Sequence, residues 1–153
     1  MTETTGAMRW AVKESFLRYV RVIAAGEIGV VGGASEDGSG AFEWPLGKSS
    51  RHGKGRELAF AGSVRFVAHG GFLDVDIRDP ALRLSPGGGV LSVAGSEPSG
   101  RVEIATIGEA TEGAYGWPAL VPRLTDAGVA FFGDVYPAGT ELAPIGARVR
   151  LHS

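Results

Sequence analysis

A tyrosine near the N-terminus has side-chain chemistry that few other residues of this chain can provide. Tyr19 follows Ser15 by four positions and Phe16 by three, so on a helix the three side chains would occupy neighbouring surface. The simplest interpretation is a tyrosine at the edge of the core with its hydroxyl in water. The alternative is that these residues border a flat aromatic ligand, because a phenolate is a hard anionic ligand that can hold ferric haem.

Histidine is the second source of chemistry, and His69 has the best-defined setting. It ends an alternating apolar segment and precedes Gly70-Gly71, which places it at a hairpin tip. A half-exposed histidine at a strand end is one interpretation, and a ligand or hydrogen-bonding residue at the mouth of a site is the other. Because His52 and His152 have no partner at metal-ligand spacing, the sequence gives little support to a histidine-based zinc site.

Paired carboxylates do not indicate catalysis in this chain. Asp74 and Asp76 share a strand face, but Arg65 and Arg78 are placed to neutralise them, as on many solvated faces. Residues 32–40 lack the ligand register of a calcium loop, and no nucleophile elbow, phosphate-binding loop or dinucleotide fingerprint occurs. Since cysteine is absent, thiolate catalysis and Cys-ligated metals are excluded. We therefore expect a protein that is not an enzyme.

The element that must position Tyr19 is a helix, predicted from about residue 8 to residue 25. Gly26 would end it, and Thr5 is a candidate N-cap. One helical stripe recurs at steps of three and four, through Trp10, Lys13, Leu17, Val20 and Ala24. The pattern predicts one amphipathic N-terminal helix.

After Gly26 the sequence changes to short apolar runs separated by turn-forming residues at roughly 8–12-residue spacing, which is typical of all-β proteins. We predict a single domain over residues 1–153 whose β region covers about 27–151. Its fold would be mainly β, an antiparallel sandwich or flattened barrel with one N-terminal helix. The candidate strands are Glu27–Val31, Ala41–Leu46, Glu57–His69, Phe72–Asp79, Val90–Ala94, Arg101–Ile107, Gly128–Phe132 and Ile145–Leu151.

The hairpin that carries His69 can be predicted residue by residue. A two-residue Gly70-Gly71 turn fixes the register, because a shift by one residue would exchange the two faces. His69 would then lie opposite Phe72, and Arg65 opposite Asp76. The apolar pairs on the other face would be Ala68 with Leu73, Phe66 with Val75 and Val64 with Ile77.

Composition and charge exclude several classes of protein. The chain has 153 residues and a mass of 15.8 kDa, enough for one domain with its own core. A net charge of −2 and the lack of a basic block argue against nucleic-acid binding. No run approaches the ~18 apolar residues of a spanning helix, so no membrane insertion is expected. The N-terminus does not have the pattern of a signal peptide, so the sequence as given predicts a cytoplasmic protein; a trimmed leader would instead place it at the cell surface or outside.

Three segments resemble the HtaA haem-binding domain family, in order along nearly the whole chain. They are WAVKESFLRYV (10–20), GSVRFVAHGGFLDVDIRDP (62–80) and FFGDVYPAGTELAP (131–144). The resemblance implies a mostly antiparallel β fold with a short N-terminal helix. It also implies a bacterial domain that binds haem in the surface uptake systems of Gram-positive bacteria and passes it toward a transporter.

The same resemblance implies specific site residues. Tyr19 corresponds to the iron ligand of the family and His69 to the histidine of the hairpin, and the cofactor would be haem b in the ferric state. A histidine beside the phenol could accept its proton and hold the ring. Less direct expectations are a hydrogen bond from Ser15 to a propionate and further haem contacts from Phe16, Phe66, Phe72 and Phe132.

The sequence therefore predicts a non-enzymatic haem-binding protein for haem uptake, transport or buffering, with a haem donor or acceptor protein as its partner. The alternative is a β-sandwich interaction module without a cofactor, since such folds carry many functions. A homo-oligomer is compatible with either, because an exposed strand edge can pair with a second copy or be covered.

Overall fold

The computed structural model describes residues 3–96 and 100–152. Two short α-helices, α1 and α2, one π-helical turn directly after α1 and a 3₁₀ turn accompany thirteen strands. The strands are β1 (Glu3–Trp10), β2 (Glu27–Val31), β3 (Ser35–Glu36), β4 (Phe42–His52), β5 (Gly55–Phe60), β6 (Ser63–Ala68), β7 (Leu73–Arg78), β8 (Ala81–Ser85), β9 (Gly88–Ala94), β10 (Arg101–Ile107), β11 (Gly116–Leu120), β12 (Pro122–Leu124) and β13 (Ile145–His152). The helical elements are α1 (Glu14–Arg18), the π turn (Tyr19–Ile23), the 3₁₀ turn (His69–Gly71) and α2 (Asp126–Phe131).

Ten of the strands form one large antiparallel sheet. Its order is β11-β13-β1-β4-β5-β8-β9-β10-β12, with β3 paired to β4. The first and last strands, β11 and β12, are separated along the chain only by Val121, so the two edges meet and the sheet is nearly closed into a barrel. The predicted mainly β antiparallel fold is confirmed, with the barrel as its form.

The other three strands form a small sheet, in the order β2-β6-β7. Its β6–β7 hairpin has the predicted register, with Phe66 opposite Val75 and Arg65 opposite Asp76. The tip is a 3₁₀ turn over His69–Gly71, so the strand alternation ends at Ala68 and does not extend to the histidine.

The N-terminal helix begins later in the chain than the sequence pattern predicts. Residues 8–10 belong to β1, as does Thr5, which therefore caps no helix. Met8 and Trp10 are both buried with Arg9 exposed between them, which is the two-residue period of a strand. Val12 then adopts a φ of 56° and separates β1 from α1, which begins at Glu14.

A second helix replaces one of the predicted strands. Residues predicted as the strand Gly128–Phe132 lie mostly in α2, whose N-cap is Thr125. The Thr125 side chain accepts a hydrogen bond from the Gly128 amide, which satisfies one of the amides left free at a helix start. The strand prediction is wrong here because an apolar run as short as 129–132 fits a strand and a helix equally well.

The core lies between the barrel wall, the small sheet and α1. Its largest buried side chains include Trp10, Trp44 and Phe42, with Phe16 of α1 packed edge-on against Phe66 of β6 at a ring distance of 5.2 Å. This aromatic contact fixes α1 against the hairpin that carries His69. In the described ranges no helix is long and apolar enough to cross a membrane.

Candidate ligand-binding site between the π turn and the hairpin tip

Tyr19 and His69 meet in the structure although 50 residues separate them in the chain. The Tyr19 hydroxyl is hydrogen-bonded to His69 Nε2, and the two rings are tilted by 51° with their centroids 5.6 Å apart. Tyr19 is half-buried whereas His69 is exposed. The pair therefore lies at the protein surface, where a ligand can reach the phenol oxygen.

The local backbone at Tyr19 is unusual. The helix widens from α to π at this residue, so that the Ala24 amide donates to the Tyr19 carbonyl at 2.8 Å, five residues back. Single π turns of this kind are rare and frequent at functional sites. With four to five residues per turn, Ser15, Tyr19 and Ile23 form one row along the exposed side of the helix.

His69 is held in a strained backbone conformation. Its φ is 55°, a left-handed value that costs a non-glycine residue about 1–3 kcal/mol. Gly70 and Gly71 follow with φ of 64° and 101°, and the Phe72 amide closes the turn on the His69 carbonyl at 3.2 Å. Strain of this kind persists where surrounding structure enforces it and is concentrated at binding and catalytic sites.

Gly26 allows the end of the helix to approach the hairpin. A Cβ at this position would come within 2.5 Å of the Val67 carbonyl oxygen and 2.9 Å of the Ala68 Cβ. Only glycine fits, and the close approach sets the distance between the π turn and β6. The contact thus brings Tyr19 within reach of the histidine.

Ser15 lies at one end of the row, within a polar cluster. Its hydroxyl is hydrogen-bonded to the Tyr136 hydroxyl at 2.9 Å, and the Lys13 ammonium lies 5.5 Å from the Tyr136 ring centre. Lys13 also donates to the Glu141 carbonyl at 3.2 Å. The residue-by-residue sequence analysis missed Tyr136, although it lies in the third family-like segment.

The predicted phenylalanines divide into two groups. Phe72 is 97% exposed at the hairpin tip, beside His69. Phe16, Phe66 and Phe132 are at most 2% exposed and form part of the core, with Phe16 edge-on to both of the others. These three rings lie on the buried sides of their elements and pack together in the core. A contact between any of them and haem remains a prediction.

Exposed aliphatic side chains lie on the π turn and on the loop after α2. Val22 and Ile23 of the π turn and Val135 of the loop after α2 are all largely exposed. The same loop approaches the hairpin, since a Cβ on Gly133 would lie 3.4 Å from Leu73 Cδ1. The sequence analysis did not identify these residues, because an α-helical period gives no sign of the wider π turn.

The charged residues of the hairpin do not form an acid–base pair. Arg65 donates to both oxygens of Asp74, at 2.7 and 2.5 Å, and this holds the pKa of the Asp74 carboxyl below its usual range. Asp76 instead accepts a hydrogen bond from Ser63. Arg78, predicted to neutralise these carboxylates, donates to the Gly95 carbonyl.

In the part of the chain that is described, no cluster of three His, Asp or Glu could hold a metal ion.

A largely apolar surface groove lies elsewhere on the barrel. It has a volume of about 620 Å³ and runs over the outer face of β1, β13 and β11, with Tyr115 on one wall. Neither Tyr19 nor His69 lines it. The Tyr19–His69 pair is the better candidate site, because no histidine among the described residues lines the groove to accept a proton from the Tyr115 hydroxyl.

Comparisons with known proteins find related chains of the same fold. A family model described as Htaa matches residues 5–148. The C-terminal domain of HtaA from Corynebacterium glutamicum is 26% identical, with 99% of each chain covered and a TM-score of 0.84. The N-terminal domain of the same protein is 24% identical, covering 97% and 98% of the two chains, with a TM-score of 0.82. The heme binding protein HtaB from that bacterium is 25% identical, with coverage of 100% and 98% and a TM-score of 0.71. No curated protein sequence matched.

Proposed function

This chain belongs to the HtaA family, and from that membership and the geometry at Tyr19 we propose that it binds ferric haem without transforming it. The observation that carries the proposal is the hydrogen bond between the Tyr19 hydroxyl and His69 Nε2 at an exposed, partly apolar surface. The name of the similar protein HtaB, a heme binding protein, supports the same ligand.

The histidine makes the phenol a usable iron ligand. A free phenol keeps its proton up to a pH of about 10. In the pair, His69 Nε2 lies within hydrogen-bonding distance of the Tyr19 hydroxyl, and the tautomer with its proton on Nδ1 would accept that proton or a strong hydrogen bond from it. The ferric iron of bound haem supplies the positive charge that favours the phenolate. Tyrosinate, a hard anion, favours ferric over ferrous iron and so suits a carrier.

The row of Ser15, Tyr19 and Ile23 has a polar end and an apolar end, which match the polar and apolar edges of haem. Ser15, Tyr136 and Lys13 form a polar, cationic end that would accept the propionate carboxylates. Ile23 lies at the other end of the row, and Phe72 lies at the hairpin tip, where both offer apolar surface to the macrocycle. Tyr19, between these two ends, would hold the iron.

Binding rather than turnover is the role that this surface supports. Peroxide chemistry would need a free acid or base beside the iron, and the histidine of this site is already hydrogen-bonded to Tyr19. We propose a carrier that exchanges haem with a donor or acceptor protein in uptake, transport or buffering.

A hemin titration tests the proposal and separates it from a cofactor-free interaction module. Wild-type protein should give a saturable Soret shift. Tyr19→Phe should lose it or bind drastically more weakly, since only the oxygen is removed. Tyr115→Phe is the control, because Tyr115 is an exposed tyrosine that lies outside the site. An unchanged spectrum at excess hemin with the wild type would favour the interaction module.

A further inference from the structure

Strand β2 is an open edge of the small sheet. In the order β2-β6-β7 it pairs with β6 alone, through a continuous five-residue register from Glu27 opposite Val67 to Val31 opposite Ser63. Its other side pairs with no strand in residues 3–96 and 100–152. The unpaired backbone groups of such an edge are a template for another strand.

This edge has few of the features that prevent strand addition. Natural edge strands are commonly protected by proline, lysine or a β-bulge. The sequence of β2 is Glu-Ile-Gly-Val-Val, with one charge at its start, no proline or lysine, and no break in register. Val31 is 64% exposed. The strand is therefore regular, largely uncharged and open.

The core itself is incompletely covered along β2. Ile28 and Val30 lie opposite Phe66 and Val64, two fully buried residues, and pack against the core. Both are nevertheless only half-buried, because no further strand of the described residues lies beside them. An added strand with apolar residues at the matching positions would complete their burial.

We propose that the occupant of this edge is β2 of a second copy of the chain, added antiparallel about a two-fold axis through Gly29. In that register Ile28 lies opposite Val30 of the second copy, so the half-buried side chains of both copies cover one another. Glu27 lies opposite Val31 of the second copy and meets no like charge. The strand is thus complementary to itself in both charge and hydrophobicity.

A substitution at Gly29 can test the proposal without disturbing the fold of the single copy. A Cβ at this position meets nothing within 4 Å, and the residue does not have a left-handed φ, so a longer side chain fits the single copy. Across the two-fold axis, however, Gly29→Lys places two lysines opposite each other, which is destabilising. Gly108→Lys is the matched control, since Gly108 is equally open and lies outside β2.

Sedimentation velocity over a concentration series up to about 1 mM gives the readout. Wild type and Gly108→Lys should show a monomer–dimer equilibrium, and Gly29→Lys should raise the dissociation constant at least tenfold. Mixing Gly29→Lys with Gly29→Glu should restore a heterodimer, because the two side chains then attract. A wild type that remains monomeric, or a Gly29→Lys protein that dimerises as tightly as wild type, would overturn the proposal. Because β2 contains no residue of the Tyr19 site, hemin binding should be unchanged in each variant, and its failure would concern only the proposed function.

Discussion

At the scale of single residues, we expect Tyr19 and His69 to have separable roles in haem binding. If Tyr19 supplies the bond to iron and His69 assists it, His69→Ala should leave haem bound but weaker. The expected loss is that of a charge-assisted hydrogen bond, about 1.5–3 kcal/mol, or on the order of tenfold or more in affinity. A hemin titration with the Soret spectrum recorded at each point measures both the weakening and the altered spectrum.

His69→Gln is the matching control, because a glutamine carbonyl oxygen can still accept a hydrogen bond from the Tyr19 hydroxyl. Its affinity should fall between those of the wild type and His69→Ala. The opposite pattern would reverse the assignment: if Tyr19→Phe kept the wild-type spectrum and His69→Ala lost it, His69 would be the direct ligand. Chemical denaturation of each variant distinguishes lost binding from lost folding.

At the scale of elements, the site depends on how closely the π turn approaches β6. Gly26→Ala should therefore weaken haem binding even though residue 26 contacts no ligand, because the added methyl group would meet the Val67 carbonyl and Ala68. Overpacking of this kind costs about 1–3 kcal/mol of folding free energy. By moving the π turn away from β6, the methyl group should also lengthen the hydrogen bond between Tyr19 and His69.

The measurements are a hemin titration and urea unfolding of Gly26→Ala beside Gly38→Ala. Gly38 is a fair control because a Cβ there meets nothing within 4 Å. Wild-type affinity in the Gly26→Ala variant would mean that the close approach is not what positions the pair.

Elements differ in how far the sequence can predict them. The β6–β7 hairpin is predictable to its register because the two-residue period and the Gly70-Gly71 pair give the same answer. Residues 8–10 are harder to assign, because Trp10 fits the helical stripe that continues through Lys13 as well as the strand face that it shares with Met8. Their burial on β1 arises from pairing with β4 and β13, which are distant in the sequence.

The residues of the candidate site also differ in how far the sequence can predict them. Tyr19 and His69 could be named from their local patterns and from the resemblance to a family. Tyr136 and Ile23 could not, because the first reaches Ser15 through a loop 121 residues away and the second depends on the π turn. Phe16 and Phe66 are core residues, since an apolar face on a helix or a strand indicates the core before it indicates a ligand.

At the scale of the whole molecule, the proposed site lies on the outside of the barrel. The small sheet and α1 cover the core on one side, and Tyr19, His69 and Phe72 lie at their outer rim. A haem held by these residues would lie at the protein surface. This arrangement suits exchange with another protein better than permanent retention.

We expect stability in acid to depend on a carboxylate in the loop before β4. Asp37 accepts hydrogen bonds from the Ser39 hydroxyl, at 2.6 Å, and from the Arg9 guanidinium, also at 2.6 Å, so it ties β1 to the loop before β4. These bonds hold the pKa of the Asp37 carboxyl well below its usual range. Because the folded-state pKa is the lower one, the stabilisation is complete above the unfolded-state pKa of about 3.9 and is lost as the pH falls through the folded value.

Asp37→Asn should therefore be less stable than wild type at neutral pH, and the difference should shrink as the pH is lowered below about 4. Urea unfolding at a series of pH values measures it, with the midpoint and slope followed together. Asp134→Asn is the control, because within the described residues the Asp134 side chain makes no hydrogen bond or ion pair; its stability should follow that of the wild type at every pH. A constant gap between Asp37→Asn and wild type down to acidic pH would show that the contribution of Asp37 does not depend on its charge.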